Sequence, residues 1–254
     1  MNITSSIALL TSLFCLAAAS AQVDFRPPFL GCHIAGEQGQ LRVLQGVRGA
    51  VAVTPHGQGV VAAACSESRI LRHTGRHLIL DQEDRRDSFP LEGHFSLALD
   101  GDNAVAVNTD AGSVLHLAAG EWRTASFQLP AGIRAIRLDS GRLTVLTPGR
   151  IEEWDLAAGA LLASDPIHVP AGPAALLSSR AVLAAADGMW FHCTPSSCAA
   201  LSPAPHTTLP VAPLFLTPLS EGWMAASPSA GLPFAVRVHH GAIESFYLPG
   251  ESLE

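Results

Sequence analysis

Apolar residues in this chain fall in runs of four to eight, broken at near-even intervals by Gly, Pro, Ser, Asp or Asn. IRAIRL, RLTVL, RIEEWDL and ALLASDPIHV are separated by Asp139-Ser140-Gly141, Thr147-Pro148-Gly149 and Ala158-Gly159. Short strands with such turn residues between them predict an all-β array. No segment sustains a 3.6-residue period. AALLSSRAVLAAA (174–186) has the composition of a helix. Its phase, however, puts Ser178-Ser179-Arg180 at the turn held one unit earlier by Asp139-Ser140-Gly141, which predicts two strands instead.

The same pattern returns along the chain. DGDNAVAVNTDAGSVLHLAAGEWRTASFQLPAG (100–132) aligns with DSGRLTVLTPGRIEEWDLAAGALLASDPIHVPAG (139–172), with LAAG at 117 and 156 and PAG at 130 and 170, a period of 39 to 40 residues. LSSRAVLAAADGMWFHC and LTPLSEGWMAASP continue the series, and prolines at 130, 170, 210 and 249 close its units. Upstream, VAVTPHGQGVVAAACSESRILRHTGRHLIL (51–80) follows the same plan about 44 residues ahead, the excess read as a charged connector, DQEDRRDSFPLEG (81–93).

Four strands per roughly 40 residues make one blade of a β-propeller, in which a single sheet cannot bury both faces and neighbouring blades bury one another. Five full units fit between about 49 and 249. FLGCHIAGEQGQLRVLQGV (29–47) matches the second half of a unit, Gly39 standing where Gly75, Gly120, Gly159 and Gly241 stand. This predicts six outer hairpins and five inner ones. A six-blade ring with a two-stranded blade, a five-blade ring with an added hairpin, and a ring truncated at its C-terminus all fit, the first and third best.

RIEEWDLAAGALLASDPIHVPAG carries a resemblance to the secreted bacterial β-propellers of the YVTN and WD40-like class, covering residues 29–249. It has a strand, a Trp-Asp pair, a D-L-x-x-G turn, a second strand, and Pro and Gly leading into the next unit. The YVTN tetrad is absent, Trp-Asp occurs once, and the Gly-His partner of WD40 units is missing. The resemblance implies a fold and an exported location, and no catalytic residue.

Composition narrows the function. The formal charge of −7 and the absence of a basic patch exclude a phosphate-backbone binder. Arg85-Arg86 is the only adjacent basic pair, offset by Glu83, Asp84 and Asp87. Residues 1–21 carry no charged side chain and end in Ala19-Ser20-Ala21, after an apolar run too short to span a bilayer. They predict a signal peptide cleaved near Ala21, leaving residues 22–254 as one exported domain with no membrane span. Cys32, Cys65, Cys193 and Cys198 then remain. CTPSSC predicts a hairpin bridge between Cys193 and Cys198, and the pairing of Cys32 and Cys65 stays open.

Motifs of known chemistry fail on context. GQGVVA (57–62) lacks the helix that a dinucleotide fingerprint needs. HTGRH sets His73 and His77 on opposite strands of a hairpin, as solvated side chains without a third zinc ligand. DGDN (100–103) begins like a calcium loop but lacks the later ligands and reads as a turn. No metal and no cofactor is predicted, and no catalytic residue is assigned.

If the ring binds something, its loops do so. Glu67, Asp110 and Asp187 are placed on loops joining second and third strands, with Arg85 and Arg86 on the connector, all on one face. The leading reading is a non-catalytic binding or scaffold module for a protein or glycan. The alternatives are a metal-dependent hydrolase or lactonase-like enzyme, disfavoured by inner strands poor in acidic residues (VAVT, IRAIRL, PAALL, PLFLT), and a structural component of a cell-envelope assembly.

Overall fold

The computed structural model describes residues 27–248 apart from 37, 48, 49, 119, 206, 208, 210–212 and 229–232. The predicted signal peptide lies outside the described residues. The apolar runs form six antiparallel sheets arranged as a six-bladed propeller. Blade one holds β1 (Phe29–Ala35), β2 (Gln40–Val47) and β3 (Ala50–Gly57). Blade two holds β4 (Ala62–Cys65), β5 (Arg69–His73), β6 (His77–Gln82) and β7 (Arg85–Pro90). Blade three follows with β8 (Phe95–Asp100), β9 (Asn103–Asn108), β10 (Ser113–Ala118) and β11 (Glu121–Gln128). Blade four is built from β12 (Ala135–Asp139), β13 (Arg142–Leu146), β14 (Arg150–Asp155) and β15 (Ala160–Pro166). Blade five comprises β16 (Ala174–Ser178), β17 (Ala181–Ala186), β18 (Met189–Thr194) and β19 (Ser197–Ala200). A two-residue strand β20 (Ser202–Pro203) then runs parallel to the outermost strand of blade six. That blade contains β21 (Pro213–Pro218), β22 (Met224–Pro228), β23 (Phe234–His239) and β24 (Ala242–Tyr247).

Both faces of each blade are buried against neighbours, so the two-residue period divides apolar side chains between two cores. In β9, Ala104 and Ala106 pack toward blade two, while Val105 and Val107 pack toward blade four. In β17, Val182 and Ala184 face blade four, and Leu183 and Ala185 face blade six. AVLAAA is therefore a central strand despite its helical composition: both faces are covered, and tertiary packing overrides propensity. Outermost strands are wetted instead, and β7, RRDSFP, is exposed along nearly its whole length.

The Trp-Asp pair sits on the outer hairpin of blade four, as its phase predicts. Trp154 stacks on Phe127 of blade three, ring centroids 5.2 Å apart and planes within 9°. Asp155 accepts the Ala158 amide at 2.8 Å, closing the turn.

The first two blades differ from expectation by one strand. After the outermost strands of blades two, three, four and six a buried or half-buried aliphatic residue donates its amide to the loop between second and third strands: Leu91 to Arg76, Leu129 to Gly112, Ile167 to Gly149 and Leu248 to Pro233, at 2.8 to 3.0 Å. Val60 makes the same bond to Gly39 at 2.9 Å. β1, β2 and β3 are therefore the second, third and fourth strands of a blade whose innermost position holds no strand among the described residues. VAVT lies in β3, an outer strand, and blade one has three strands where two were expected. DQEDRRDSFPLEG is no connector: it carries the end of β6, a two-residue turn and all of β7. The polar sequence of β7 hid it, because an outermost strand needs no apolar face.

Blade one is fixed on both sides. A Cys32–Cys65 disulfide joins β1 to β4, with the two Cα atoms 5.9 Å apart. Toward blade six, Leu30 and Leu44 pack with Trp223, Ala235 and Leu248. Trp223 lies edge-on to Phe246, with the Arg237 guanidinium 4.5 Å from its ring centroid. Ser220 Oγ donates to Phe29 O at 3.0 Å and Ser227 Oγ to Ile34 O at 3.2 Å, tying both ends of β1 across the seam. The second disulfide links Cys193 and Cys198, which face each other across the β18–β19 hairpin. His73, expected to be solvated, is fully buried, donating from Nε2 to Leu91 O at 2.9 Å with its ring edge-on to Phe95.

Two predictions arise from this frame. His33 on β1 is fully buried; burial first, and the Arg42 charge second, push its pKa from 6.5 to about 4, against a weaker upward pull from a backbone hydrogen bond with Ile34. The folded state therefore holds the neutral ring, whose contribution is complete above pH 6.5 and is lost as pH falls from 6.5 toward 4, on the order of 3 kcal/mol. Urea midpoints at pH 7.5 and pH 5 check this: His33→Leu is expected to shrink the difference between them, and parallel falls in both proteins would rule His33 out. For the disulfides, loop lengths give about 4 kcal/mol for Cys32–Cys65 and about 2 kcal/mol for Cys193–Cys198. Paired Cys→Ser variants measured by denaturant unfolding are expected to keep that order.

Candidate functional site

Propeller connectivity sorts the candidate residues onto two faces. Loops joining second to third strands, and chain segments leading to the next blade, lie on one face, here called upper. Turns joining first to second and third to fourth strands lie on the other. Asp110 and Asp187 are upper: they sit between β9 and β10 and between β17 and β18. Glu67 lies between β4 and β5, the first and second strands of blade two, and is therefore lower. Arg85 and Arg86 begin β7, beside the lower turn at Glu83 and Asp84. The expectation of a single face fails because the first two blades are displaced by one strand.

The upper residues have local explanations. Asp110 pairs with His94 across 2.9 Å while Asn108 Oδ1 accepts the amides of Asp110 and Ala111, an Asx turn. Asp187 takes a positive φ of 50° with Gly188 after it, the conformation of a two-residue hairpin turn. Neither carboxylate lines one of the two clefts described next.

The lower residues converge. A cleft of about 590 Å3 opens between blades one and two, and Glu67, Arg85 and Arg86 all line it. Its other walls include Phe29, Gln45, Arg69 and Asp81. Strand register explains the meeting. Asp81 on β6 pairs with Arg86 on β7 and with Ile70 on β5, so the carboxylate and Arg86 share one sheet face. Arg72 approaches Asp81 Oδ2 at 3.0 Å, Arg86 Nε donates to Oδ1, and His56 Nε2 of blade one stands 3.4 Å from Oδ2. Burial alone would push the Asp81 carboxyl upward. The Arg86 hydrogen bond, the charges of Arg72 and Arg86, and the His56 contact outweigh it and hold Asp81 below the usual carboxylate range. Arg85 Nε donates to Asp87 at 2.8 Å, and the rest of its guanidinium stays mostly exposed.

The result is a rigid floor, Arg72–Asp81–Arg86, under a rim where carboxylates and guanidinia alternate. Such a surface can make directional, charge-assisted hydrogen bonds to an incoming polar group. Sequence reasoning missed Asp81, Arg69 and His56. A signal was present: RILRH and HLILDQ place charged residues inside strands otherwise apolar, a pattern that needs partners. A second cleft of about 510 Å3 lies beside the first, with Arg69, Asp102 and His116 among its residues. Among the described residues, no three His, Cys, Asp or Glu side chains are placed to hold a metal ion. No helix among them is long and apolar enough to cross a membrane.

No family model matches the chain, and no curated protein matches it. Solved structures do. A chain of a nidogen/laminin complex superposes with a TM-score of 0.57 at 13% identity, over 87% of this chain and 93% of that one. The N-terminal domain of Nup159 matches at 0.51 and 12% identity, over 87% and 77%. A Kluyveromyces lactis Hsv2 with loop 6CD replaced by a Gly-Ser linker matches at 0.51 and 8% identity, over 87% and 81%. At these identities the shared property is the fold, and the chain is on that footing a six-bladed β-propeller.

Proposed function

We propose that this chain is an exported, non-catalytic binding module that engages a protein through the charged cleft between blades one and two. The observation that carries the reading is the convergence of Glu67, Arg85 and Arg86 with Arg69 over the Asp81 ion-pair floor. Loops and strand ends on a rigid scaffold are where binding concentrates. Alternating charge signs match a protein surface, whose own charges are mixed, better than a glycan, for which the cleft offers one phenyl ring, Phe29, and no Trp or Tyr. Two disulfides favour an oxidising compartment, in keeping with a signal peptide at residues 1–21. A similar solved chain comes from a complex between nidogen and laminin, a protein–protein pair.

The test uses the immobilised chain beside an Arg85→Glu/Arg86→Glu variant, probed with extracellular proteins and with an array of neutral and acidic glycans. Both arginines are more than half exposed, and Asp81 keeps Arg72 at 3.0 Å when Arg86 is replaced, so the variant is expected to fold, as circular dichroism beside the wild type checks. A protein ligand retained by the wild type is expected to bind the variant at least about tenfold more weakly, with the loss shrinking in high salt. Undiminished retention, or retention of glycans alone, would overturn the proposal.

A further inference from the structure

Arg69 is a buried cation that no carboxylate of the described residues pairs with. It is 7% exposed on β5, and its guanidinium makes one hydrogen bond among the described residues, from Nη1 to Gly101 O at 2.7 Å. Its Nε is shut off from water without a partner. Arg72, equally buried, has Asp81 at 3.0 Å instead, and half-buried Arg134 donates to the carbonyls of Val169, Pro170 and Gly172. Burial pulls the Arg69 guanidinium below its ordinary pKa, and the charge of Asp102 offsets this only in part. A desolvated guanidinium still keeps its proton, so its unmet donors stand as a cost that an incoming anion removes.

The bond to Gly101, in the turn between β8 and β9, draws the guanidinium toward blade three and into the second cleft, of about 510 Å3. That cleft runs from blade two to blade four past the lower end of blade three. Leu117 and Ala118 of β10 supply apolar wall, with Leu156 just after β14 facing them from blade four. His116 adds a further polar group. Apolar walls with a few placed polar groups are the make-up of a small-ligand site. Asp102, exposed at the rim, is the sole carboxylate among the lining residues described. It repels a dianion such as hydrogen phosphate about twice as strongly as a single carboxylate.

We propose that the second cleft binds a small apolar carboxylate, its oxygens paired with Arg69 and its aliphatic body lying along Leu117 and Leu156. Pairing returns a counter-charge to the desolvated guanidinium through charge-assisted hydrogen bonds. Two carriers present that group: a free aliphatic acid, and the C-terminal residue of a peptide that ends in an apolar side chain. The site stands apart from the surface proposed for a protein partner. The two clefts share only Arg69 and Gln82, and neither Arg85 nor Arg86 lines the second.

NMR titration of the 15N-labelled full chain tests the proposal, with hexanoate and its neutral isostere hexanamide as probes. The Gly101 amide and the Arg69 Nε–H are expected to shift with hexanoate, at least about tenfold more tightly than with hexanamide. In Arg69→Gln the two probes are expected to bind equally. Should that variant fail to fold, the comparison of probes on the wild type still decides. N-acetyl-alanyl-leucine and its C-terminal amide separate the carriers: an acid form tighter than hexanoate names a peptide C-terminus, and a weaker one a free acid, each in support of the site. Equal binding of hexanoate and hexanamide to the wild type would overturn it. So would inorganic phosphate binding as tightly as hexanoate, or hexanoate shifts undiminished in folded Arg69→Gln, since either would leave an adventitious ion only.

Discussion

Face-to-face packing between blades is the interaction on which everything else in this molecule depends. A lone four-stranded sheet leaves two apolar faces in water, so no blade is stable until both neighbours are in place. Each strand accordingly sends alternate residues to different cores, as Ala104 and Val105 do in adjacent positions of β9. The ring must close on itself, and blade one is the place where closure is most demanding. Among the described residues it brings three strands rather than four. What it lacks in inner-strand packing is offset by a disulfide to β4 on one side, and on the other by Trp223, Leu30 and two hydroxyl-to-carbonyl bonds across the seam.

Much of this was legible in the pattern of residues. The 39- to 40-residue period, the turn at Gly159 and the strand phase of AVLAAA all correspond to blades three to six as built. The failure upstream has a definite physical origin. Repeat phase is read from apolar runs, and an outermost strand exposed on both sides, such as RRDSFP, carries none. Blade one, which shows no inner strand among the described residues, then shifted every upstream strand by one, turning the outer strand AVAVTPHG into an apparent inner one. One backbone bond, Val60 to Gly39, resolves the register, and no side-chain pattern encodes it.

The same displacement governs the candidate site. Glu67, Arg85 and Arg86 were picked out as charged residues on turns, and they meet in one cleft, on the face opposite to that of Asp110 and Asp187. The residues that organise that cleft are less visible. Asp81 and Arg72 sit inside strands, and only the cross-strand register brings them to 3.0 Å. Local sequence marks where polar groups are, whereas sheet register decides which of them share a face.

Closure at the seam between blades six and one can be measured through Gly31. Its φ is +132°, and a Cβ there would stand 2.7 Å from Leu219 Cδ2 and 3.2 Å from Leu219 Cα, atoms of the opposing blade. Gly141, at φ +77°, is a turn glycine whose Cβ would meet nothing within 4 Å. Both substitutions strain the backbone, Gly31→Ala the more because φ +132° lies outside the left-handed well near which Gly141 sits, and only Gly31→Ala also presses on Leu219 across the seam. Denaturant unfolding is predicted to show a loss of about 1 kcal/mol for Gly141→Ala and more than about 3 kcal/mol for Gly31→Ala. Equal losses in the two variants would contradict a ring held closed by packing at that seam.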